Sequence, residues 1–600
     1  MLTIPKQDFV LLETNRTDSS NKTSYLFRGP REIIACYRLR DVEKTLLEIE
    51  KWIARGYYAA GFLSYEAGYA FEAGFGRRSS CRGPVPLLWF GIYKKPIIIK
   101  GETNLNWGPK GAFRITGARP NVSYPRYRSA VEAIKNRIRR GETYQVNYTF
   151  KYKFGFKGSE EALYSALKAS QKTSYAALIK TPGFSVISAS PELFFRMNGA
   201  AIETKPMKGT AERGRFAEED NSIARGLGDC RKNRAENVMI VDLLRNDLSK
   251  VCAVSSVRTE KMFEVEKYGT LFQMVSTVKG KLENTEFAGI IRNLYPSGSI
   301  TGAPKINTMR IIRSLEKESR GVYTGAIGYI SPRKKAVFNV AIRTVVVERG
   351  KGRGEMGVGS GITIDSTPAS EYAESCLKAK FALERPRDFK LFETMLLRKG
   401  KKIRLLKYHM ERMKSSAGYF GFTFNGRQAR KVLQGAIRRA QPGKDARLRL
   451  LLSAGGVFEA EILGLEKTGS RLVKFSKHIT DSKDRFLFHK TTNRELYRQE
   501  LEDCRKKGFY DVIFTNELGQ VTESAASNIL ILKNGLLYTP TKRCGLLAGT
   551  YLKHLMNTKY GKIKEKLLYR KDILNADKLY LANSVRGLVE VKLAKAHDKN

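Results

Sequence analysis

The segment GVGSGITIDSTPASEYAESCLKAK, residues 357–380, joins a glycine-rich stretch to a helical pattern. Thr367 and Pro368 mark the helix start, because threonine caps exposed backbone amides and proline suits the first helical turn. Glu374 and Lys378 stand four residues apart, a spacing typical of an exposed ion pair. The glycines lack the full GxGxxG pattern and do not indicate a dinucleotide site. They instead allow backbone N–H groups to approach an anion closely.

Three earlier segments also embed polar residues in apolar, glycine-punctuated sequence. They are SASPELFFR (188–196), ETKPMKGTAERG (203–214) and AENVMIVDLLRND (235–247). Read as a helix, the last segment places Glu236 on one face with Ile240 and Leu243. Its carboxylate is therefore expected to point toward buried surface, where it needs a cation.

Secondary-structure patterns predict two bodies. Up to about residue 385, the strand-like runs AALIK, FSVISAS, GAIGYI and VFNVAIRTVVV alternate with the helical patterns ENVMIVDLLRNDL and PASEYAESCLKAKFAL. These indicate an α+β or α/β body with a large sheet. After the proline-containing joint ERPRDF, a hairpin-like strand pair and a helix restart the pattern. We therefore expect domains at 1–385 (subregions 1–120 and 121–385) and 388–600, with a boundary near Glu384–Phe389.

The composition is that of a globular protein, with 600 residues, 42% of them hydrophobic and 28% charged. The N-terminus lacks a signal pattern and no apolar segment has membrane-spanning length, so we expect a cytoplasmic protein without membrane association. The cysteines form no CxxC pair, which indicates reduced thiols rather than disulfides or a zinc site. They are Cys36, Cys81, Cys230, Cys252, Cys376, Cys504 and Cys544.

The formal net charge of +49 raises the question of nucleic-acid binding. Lysine and arginine are spread through patterned segments, including RKGKKIRLLK (398–407), so we do not expect specific nucleic-acid recognition. All five histidines, His409, His478, His489, His554 and His597, follow residue 400. Proton transfer in the first two-thirds must therefore use carboxylates, lysines or tyrosines.

The order of the polar segments in the first body resembles the chorismate-utilising enzymes. Further matches are LLET (11–14), SYEAGYAFE (64–72), GETYQVNYTF (141–150), PSGSITGAPK (296–305) and NVAIRT (339–344). The resemblance covers residues 1–385 and implies a large β-sheet sandwich with helices. It also implies that chorismate, a small dianion, is the substrate.

The resemblance implies a role for individual residues. Glu236 and Glu374 match the ligands of Mg²⁺, a hard cation that prefers carboxylate oxygens and can bridge to the substrate carboxylate. Glu192 matches the general acid that protonates the departing 4-hydroxyl. The expected substrate-binding residues are Gln273, Thr301, Tyr323, Arg343, Gly359, Gly361 and Lys378.

Lys208 in PMKGT distinguishes the branches of this family. Relatives that form anthranilate usually carry alanine there, whereas the aminodeoxychorismate synthases carry a lysine that adds covalently to chorismate. Isomerase branches also keep a lysine, as a base that activates water. The PMKGT context, the second body and Gln273, where anthranilate-type relatives carry histidine, favour the aminodeoxychorismate branch. Its nucleophile needs a lowered pKa.

No nucleophilic cysteine in a glycine-rich elbow with a downstream His-x-Glu is visible. We therefore expect ammonia to come from solution or from a separate glutamine amidotransferase subunit. LLET and SYEAGY resemble a region that binds tryptophan in parts of the family, and the sequence leaves open whether that pocket is used here.

Six ordered segments of the second body resemble the fold-type IV pyridoxal-phosphate enzymes, which include amino-acid aminotransferases and aminodeoxychorismate lyase. They are LFET (391–394), KYHMERMKSSA (407–417), LFHKTTNRELYRQE (487–500), NELGQVTESAASNILI (516–531), LYTPTKRCGLLAGTY (537–551) and LANSVRG (581–587). The resemblance implies pyridoxal 5'-phosphate as cofactor and leaves homodimerisation open.

Lys490 matches the lysine that binds this cofactor covalently and transfers protons. Glu523 matches the carboxylate that keeps the pyridine nitrogen protonated. The expected phosphate contacts are Arg412, Ser584 and the region of Thr550 and Tyr551. The arginine that binds the substrate carboxylate is open between two residues of ARLRLLLSAGG (446–456), Arg447 and Arg449.

The motifs leave transaminase and lyase open for the second body. The product implied for the first body is 4-amino-4-deoxychorismate, which a lyase of this type converts to 4-aminobenzoate and pyruvate. Consecutive reaction steps would explain why both bodies lie in one chain. The alternatives are an amino-acid aminotransferase as second body, or an anthranilate synthase-like first body.

Overall fold

The computed structural model describes residues 8–14, 21–75, 85–100, 111–171, 173–269, 271–383, 388–399, 401–465, 470–558 and 563–594. These residues form two compact units. Unit 1 takes the described residues up to Glu212 and from Ala224 to 383, and unit 2 takes Arg213–Ile223 and the described residues from 388 onward. Residues 384–387 of the expected boundary, Cys81 and His597 lie outside the described residues.

Unit 1 contains two ten-stranded antiparallel sheets. Sheet I has the spatial order Gly302–Ala303, Gln145–Gly158, Arg353–Ile362, Thr344–Glu348, Phe184–Ser190, Tyr175–Lys180, Phe9–Glu13, Thr23–Arg28 and Ile97–Lys100, and Phe113–Pro120 also pairs with Gln145–Gly158. Sheet II has the order Met207–Glu212, Leu271–Lys281, Ala201–Lys205, Leu193–Asn198, Lys335–Val340, Ala326–Ile330, Tyr58–Leu63, Leu88–Tyr93 and Glu32–Cys36, and Arg258–Lys267 also pairs with Leu271–Lys281.

The run VFNVAIRTVVV is two strands rather than one. Lys335–Val340 belongs to sheet II and Thr344–Glu348 to sheet I. Arg343 lies between them with a φ of 51°, in the left-handed region that a continuous strand does not use. The prediction of a single run was wrong because alternation of apolar residues does not reveal a change of sheet.

The helices of unit 1 confirm both predicted helical segments. The α-helices are Val42–Ala54, Tyr124–Arg139, Glu160–Gln171, Arg231–Ser249, Phe287–Leu294, Lys305–Leu315 and Pro368–Leu383, and the 3-10 helices are Leu39–Asp41, Tyr65–Phe71 and Gly298–Ile300. A further helix, Ala217–Asp229, has its residues up to Ile223 in unit 2.

Unit 2 contains a four-stranded and an eight-stranded sheet, and its first strand pair and helix confirm the predicted restart. Sheet III has the order Lys402–Ile403, Leu391–Arg398, Ala446–Leu452 and Phe458–Leu463. Sheet IV has the order Val521–Ser524, Asp511–Asn516, Leu472–Thr480, Gly587–Leu593, Lys578–Asn583, Asn528–Lys533, Leu536–Pro540 and Ile563–Lys566. The helices are Leu406–Phe420, Gly426–Arg439, Glu495–Lys506, Thr550–Met556 and Arg570–Leu574, with 3-10 turns at Arg485–Phe488 and Lys542–Cys544.

Across the described ranges, none of the helices combines the length and the apolar character needed to cross a bilayer. Both units together form the two-domain α+β architecture that the sequence predicted.

Aromatic rings fill the main core of unit 1. Phe338 of sheet II is fully buried. Its ring lies 5.3 Å from Phe195 and 5.4 Å from Phe287, centroid to centroid, and 6.3 Å from Phe90. Removing such a ring loses the free energy of burial and leaves a cavity among neighbours that cannot collapse.

We expect Phe338→Ala to lower the free energy of unfolding of unit 1 by about 3–5 kcal/mol. All three tryptophans of the chain precede residue 108, so tryptophan fluorescence during denaturant unfolding reports on the first body. Leu47→Ala is the matched control, because Leu47 is 49% exposed. An unfolding midpoint of Phe338→Ala equal to that of the control would contradict this account of the core.

Candidate active sites

Lys208 lies on the edge strand Met207–Glu212 of sheet II, near the strand Arg353–Ile362 of sheet I. A β-carbon added to Gly361 of that second strand would lie 3.0 Å from Lys208 Nζ and 3.1 Å from Asn147 Oδ1, and would overlap the Gln145 amide. These polar atoms therefore converge on the space that the missing side chain leaves open. A side chain at position 361 would displace these polar atoms.

Four predicted residues act on the Lys208 amine. Burial is the largest influence and lowers the pKa of Lys208. Glu236, Glu192 and Glu374 oppose this shift, whereas Lys378 reinforces it. The expected acid, both expected metal ligands and Lys378 therefore lie close enough to influence the charge of this amine. A lysine with a lowered pKa has a larger neutral fraction, which is the nucleophilic form.

Glu192 is buried, with 5% of its surface exposed. Burial raises the pKa of Glu192 to about 7, while Ser299 and Lys208 favour the ionised form. Ser299 Oγ donates to Glu192 Oε1 at 2.6 Å, and Asn147 Nδ2 donates to the Ser299 carbonyl oxygen at 2.7 Å. Such a carboxyl can hold a proton near neutral pH and release it to a leaving group. Sequence reasoning quoted PSGSITGAPK but missed Ser299.

The two expected Mg²⁺ ligands differ in environment. Glu236 lies half-buried on the helix Arg231–Ser249, whereas Glu374 is exposed. The Lys378 ammonium contacts Glu374 at 2.7 Å, which confirms the ion pair that the spacing predicts, and it donates to the Gly359 carbonyl oxygen at 3.0 Å. Within the described chain, no cluster of three or more His, Cys, Asp or Glu residues could hold a metal. Both carboxylates influence the charge of Lys208, and carboxylate oxygens suit a hard cation that takes its remaining ligands from water and substrate.

Gly359 and Tyr323 are also constrained by contact. A β-carbon on Gly359 would lie 2.5 Å from the Tyr148 carbonyl oxygen and 2.8 Å from Thr149 Cγ2. The ring of Tyr323 fills the space beside Gly357 in the same strand. Burial raises the pKa of Tyr323, so its hydroxyl stays protonated.

The remaining expected substrate contacts are Arg343, Thr301 and Gln273. Arg343 and Thr301 already form hydrogen bonds with other groups of the protein. Arg343 Nη1 donates to Gln171 Oε1 at 2.6 Å, and burial lowers the pKa of Arg343 to about 10. Thr301 is fully buried and its hydroxyl donates within its own turn, to Ser297 and Gly298. Gln273 lies on the strand Leu271–Lys281, opposite Thr210. The geometry leaves the roles of these three residues as predictions.

Arg320 connects the loops of this site, and no sequence pattern indicated it. Its guanidinium donates to Glu316, to the Ile300 carbonyl oxygen at 3.0 Å and to the Asn147 carbonyl oxygen at 2.6 Å. It lies 4.3 Å from the ring centroid of Tyr65. Its partners come from four separate segments, so Arg320 fixes the loop that leads to Tyr323 against the strand of Asn147.

Lys490 is the centre of the second candidate site, in unit 2. Its carbonyl oxygen accepts a hydrogen bond from Phe392 N at 3.0 Å, and its Nζ lies 4.7 Å from the Phe392 ring centroid. Burial lowers the pKa of Lys490 to about 7, with Arg412 and Arg494 reinforcing the shift and Glu393 opposing it. The amine can therefore be neutral near physiological pH.

Glu523 is buried beside Arg494, whose Nη2 donates to Glu523 Oε1. The backbone N–H of Leu547 donates to the other carboxylate oxygen at 3.2 Å. Burial raises the pKa of Glu523, while Arg494, Leu547 and Lys490 favour the ionised form. Arg494 lies in the quoted segment 487–500 but was not singled out from the sequence.

Arg412 forms a two-point ion pair with Glu393 of the LFET segment. Arg412 Nε and Nη2 donate to the two Glu393 oxygens at 2.8 and 2.6 Å, and Nη1 donates to the Ala548 carbonyl oxygen at 2.9 Å. His409 Nδ1 lies 2.6 Å from Glu393 Oε2, and its Nε2 lies 3.4 Å from Thr550 Oγ1. Burial alone would raise the pKa of Glu393, but Arg412 and His409 lower it to about 2.

Sequence reasoning missed Glu393 and His409, although both lie in quoted motifs. The two hydrogen bonds to Glu393 hold the Arg412 guanidinium in one plane. A guanidinium held in this way is prepared to bind a phosphate.

The other expected phosphate contacts come from the carboxyl-terminal part of unit 2. Thr550 is buried at the start of the helix Thr550–Met556. The ring centroid of the next residue, Tyr551, lies 4.6 Å from the guanidinium carbon of Arg404. Ser584 Oγ donates to the Thr394 carbonyl oxygen at 2.9 Å. Thr394 follows Glu393 directly, so Ser584 and Arg412 both contact the same short strand segment. The residues present fit a phosphorylated cofactor.

Residues 10–384 match the family model described as chorismate binding enzyme. The chain belongs to the chorismate binding enzyme family. Residues 390–594 match the model for class IV amino-transferases. Both parts of the chain thus match families of enzymes.

Two relatives each align with less than half of this chain. Aminodeoxychorismate synthase component 1 of Bacillus subtilis (strain 168) is 40% identical over 271 residues, which are 45% of this chain and 57% of that protein. Anthranilate synthase component 1 of Aquifex aeolicus (strain VF5) is 36% identical over 264 residues, 44% of this chain and 53% of that protein. The match thus spans little more than half the length of these relatives.

Among solved structures, anthranilate synthase component I from Streptococcus pneumoniae TIGR4 has a TM-score of 0.52 and 25% identity. The alignment covers 61% of this chain and 93% of that structure.

The environment of Glu192 generates a prediction about pH. A carboxyl with a pKa of about 7 is protonated below that pH and ionised above it. If Glu192 donates the proton, kcat/KM for chorismate must fall as the pH rises through about 7. Glu192→Gln should lose this alkaline decline and react about 100-fold more slowly or worse.

The measurement is the rate of chorismate consumption against pH at constant free ammonia. Ser299→Ala is the matched variant. It removes a hydrogen bond that favours the ionised form, so it should move the decline to higher pH. An unchanged alkaline limb in Glu192→Gln would assign the proton to another group.

Proposed function

We propose that this protein makes 4-aminobenzoate from chorismate in two consecutive steps. The first body, residues 1–385, would convert chorismate and ammonia to 4-amino-4-deoxychorismate. The second, residues 388–600, would release pyruvate from that product. The observation that carries the proposal is the half-buried Lys208 amine beside Gly361. Burial lowers the pKa of this amine, and the protonatable carboxyl of Glu192 influences its charge. Relatives that form anthranilate usually lack this lysine.

In the first step, the neutral Lys208 amine forms a C–N bond to the chorismate ring while the 4-hydroxyl departs. Glu192 donates its proton to that hydroxyl, which leaves as water. Ammonia then forms the new bond at the carbon that bore the hydroxyl, and the bond to the Lys208 amine breaks. The proton that the ammonia nitrogen loses restores the Glu192 carboxyl. The balance is chorismate plus ammonia to 4-amino-4-deoxychorismate plus water. We further propose that a separate glutamine amidotransferase delivers the ammonia.

Mg²⁺ would be held by Glu236 and Glu374. It would neutralise a substrate carboxylate that otherwise faces these two carboxylates, and Lys378 is placed to join that contact because it already pairs with Glu374.

In the second step, pyridoxal phosphate would be held by Lys490, Glu523, Arg412, Thr550, Tyr551 and Ser584. When bound, the cofactor supplies an electron sink for the carbanion that forms at the carbon carrying the amino group. Lys490 Nζ, with a pKa near 7, accepts the proton from that carbon. Glu523, whose ionised form Arg494 and Leu547 favour, would pair with the pyridine nitrogen, and Arg412, held by Glu393, would bind the phosphate.

Arg449 is the better candidate for binding the substrate carboxylate. Its guanidinium lies 4.6 Å from the Phe392 ring centroid, the same ring that Lys490 faces. In the part of the chain that the structure describes, its buried Nε has no hydrogen-bond partner. A buried donor of this kind favours an anionic ligand.

An amino-acid aminotransferase is the second candidate for residues 388–600, because the matched family model is that of class IV amino-transferases. Incubation with pyruvate distinguishes an aminotransferase from a lyase. An aminotransferase returns the amino group to the keto acid, whereas a lyase forms pyruvate from 4-amino-4-deoxychorismate.

An anthranilate synthase-like first body would make an aromatic product without the second body.

We expect Lys208→Ala to slow chorismate amination by orders of magnitude while the far-UV circular dichroism stays unchanged. The substitution removes the nucleophile and leaves Glu192, Glu236 and Glu374 in place. Lys205→Ala is the matched control and should retain the rate of chorismate consumption. Equal rates in the two variants would exclude covalent catalysis by Lys208.

Lys490→Ala should accumulate 4-amino-4-deoxychorismate while chorismate still disappears. The second body then lacks both the covalent cofactor link and the proton acceptor, and the first body is unaltered. Product analysis by chromatography, with chorismate, ammonium, magnesium and pyridoxal phosphate, gives the readout. Added aminodeoxychorismate lyase should restore 4-aminobenzoate. Formation of 4-aminobenzoate at the wild-type rate by Lys490→Ala would refute the assignment.

A further inference from the structure

Residues Arg213–Ile223 are part of unit 2, although the chain on both sides of them belongs to unit 1. Phe216 packs into the apolar cluster of unit 2 that contains Leu487, Phe488 and Phe514. Its ring centroid lies 5.2 Å from that of Phe488. Phe216 is half-buried and lies against this cluster, so its ring adds apolar contact to the packing of unit 2.

The start of this segment is fixed by a buried ion pair. Arg213 Nε and Nη2 donate to the two Asp220 oxygens at 2.6 and 2.7 Å, and both side chains are 3% exposed. The same guanidinium donates to the Tyr419 carbonyl oxygen at 3.0 Å and lies 4.5 Å from the Tyr419 ring centroid. The Tyr419 hydroxyl donates to the Gly214 carbonyl oxygen at 2.6 Å. The backbone at 213–214 is therefore held on both sides by Tyr419.

Arg215 extends the attachment along unit 2. Its Nη1 donates to the carbonyl oxygens of Ser482 at 3.1 Å and Arg543 at 3.2 Å. The guanidinium also lies 5.2 Å from the Phe488 ring centroid. The Arg215 backbone N–H donates to Glu219 Oε2 at 2.6 Å. Because the side chain and the backbone are both held, the direction of the Arg215 carbonyl group is restricted.

That carbonyl group determines the tautomer of His489, the residue before Lys490. His489 Nε2 lies 3.2 Å from the Arg215 carbonyl oxygen, which can only accept a hydrogen bond. Nε2 must therefore carry the proton. Nδ1 is then unprotonated and accepts from Ser416 Oγ at 2.9 Å. The ring also stacks on Tyr419, with 4.3 Å between centroids.

His489 stays neutral in this environment. Burial lowers its pKa to about 3, and the cations Lys542, Arg485 and Arg213 reinforce the shift against the Arg215 carbonyl group. Both ring nitrogens and one ring face are thus engaged, so the residue has one orientation. On the other side, the Lys490 carbonyl oxygen is tied to Phe392 N at 3.0 Å.

We propose that Arg213–Phe216 are positioning residues of the second active site, because they orient His489 and, through the adjoining peptide bond, Lys490. The proposal rests on the proposed function of Lys490. It means that the second active site draws on residues outside 388–600, from the stretch that follows the Lys208 strand. The contacts of His489 hold the residue before Lys490, and Phe392 N holds the Lys490 carbonyl oxygen. Movement of Lys490 is therefore limited to rotation of its side chain.

The test uses the full-length chain with Phe216→Ala, Phe216→Leu and the control Ser222→Ala, an exposed residue of the same segment. Phe216→Ala should weaken pyridoxal phosphate binding and slow pyruvate release from supplied 4-amino-4-deoxychorismate by about tenfold or more, since small misplacements of a reacting group are costly. Phe216→Leu should restore part of both. Pyridoxal phosphate affinity in Phe216→Ala equal to that in Ser222→Ala would overturn the proposal.

A second measurement does not depend on a variant that folds. Hydrogen exchange of the wild-type protein with and without pyridoxal phosphate should show peptides 213–223 and 485–491 gaining protection together. The helix Val42–Ala54 serves as the unaffected reference. Protection of 485–491 without any change at 213–223 would refute the positioning role.

Borohydride reduction separates this proposal from the function on which it rests. If the reduced cofactor is found on Lys490 in the wild type, the proposed function of the site stands, and the Phe216 variants decide the positioning role alone. If it is found on another lysine, the proposed function fails and the positioning proposal fails with it.

Discussion

A lysine amine is a nucleophile only after it has lost its proton, and this requirement shapes both candidate sites. In water an amine of this kind is protonated at neutral pH. Burial disfavours the charged form and lowers the pKa of Lys208 and of Lys490. Each site must therefore remove its lysine from water. Each site also contains carboxylates that oppose the resulting fall in the pKa of the lysine. Without that desolvation, neither lysine could form the bonds we propose.

The same protein gives its carboxyl groups opposite properties. Glu192 is buried near Lys208, and burial prevails, so its pKa rises to about 7. Glu393 is equally buried but accepts two hydrogen bonds from Arg412 and one contact from His409, and its pKa falls to about 2. A proton donor and a permanent anion thus arise from one residue type. The number of charged donors decides which of the two is formed.

The contacts of His489 show that burial and charge also fix the orientation of a side chain. Its neutral ring accepts from Ser416 and donates to the Arg215 carbonyl group, so one residue of the 213–223 segment and one of the helix Leu406–Phe420 define its orientation. A histidine that carried a charge would need an acceptor at both nitrogens. Burial among cations keeps the ring neutral, the Arg215 carbonyl group selects the tautomer, and the two hydrogen bonds fix the orientation of the residue before Lys490.

The sequence by itself determined the local structure and the residue types of both sites. Helices such as Arg231–Ser249 and Pro368–Leu383 follow from periodicity and capping, which depend on neighbours within one or two turns. The ordered motifs predicted Lys208, Glu192, Lys490, Glu523 and Arg412 as site residues, and the first two lie in unit 1 and the other three in unit 2.

Only the tertiary structure decided the partners. Ser299, Glu393 and Arg494 act through contacts with residues 16 to 107 positions away, to which no spacing rule applies. The same is true of the division of VFNVAIRTVVV between two sheets and of the place of 213–223 in unit 2. Periodicity reports which face of an element is buried, but not which element buries it. That choice depends on how distant segments pack together, which is a property of the folded chain alone.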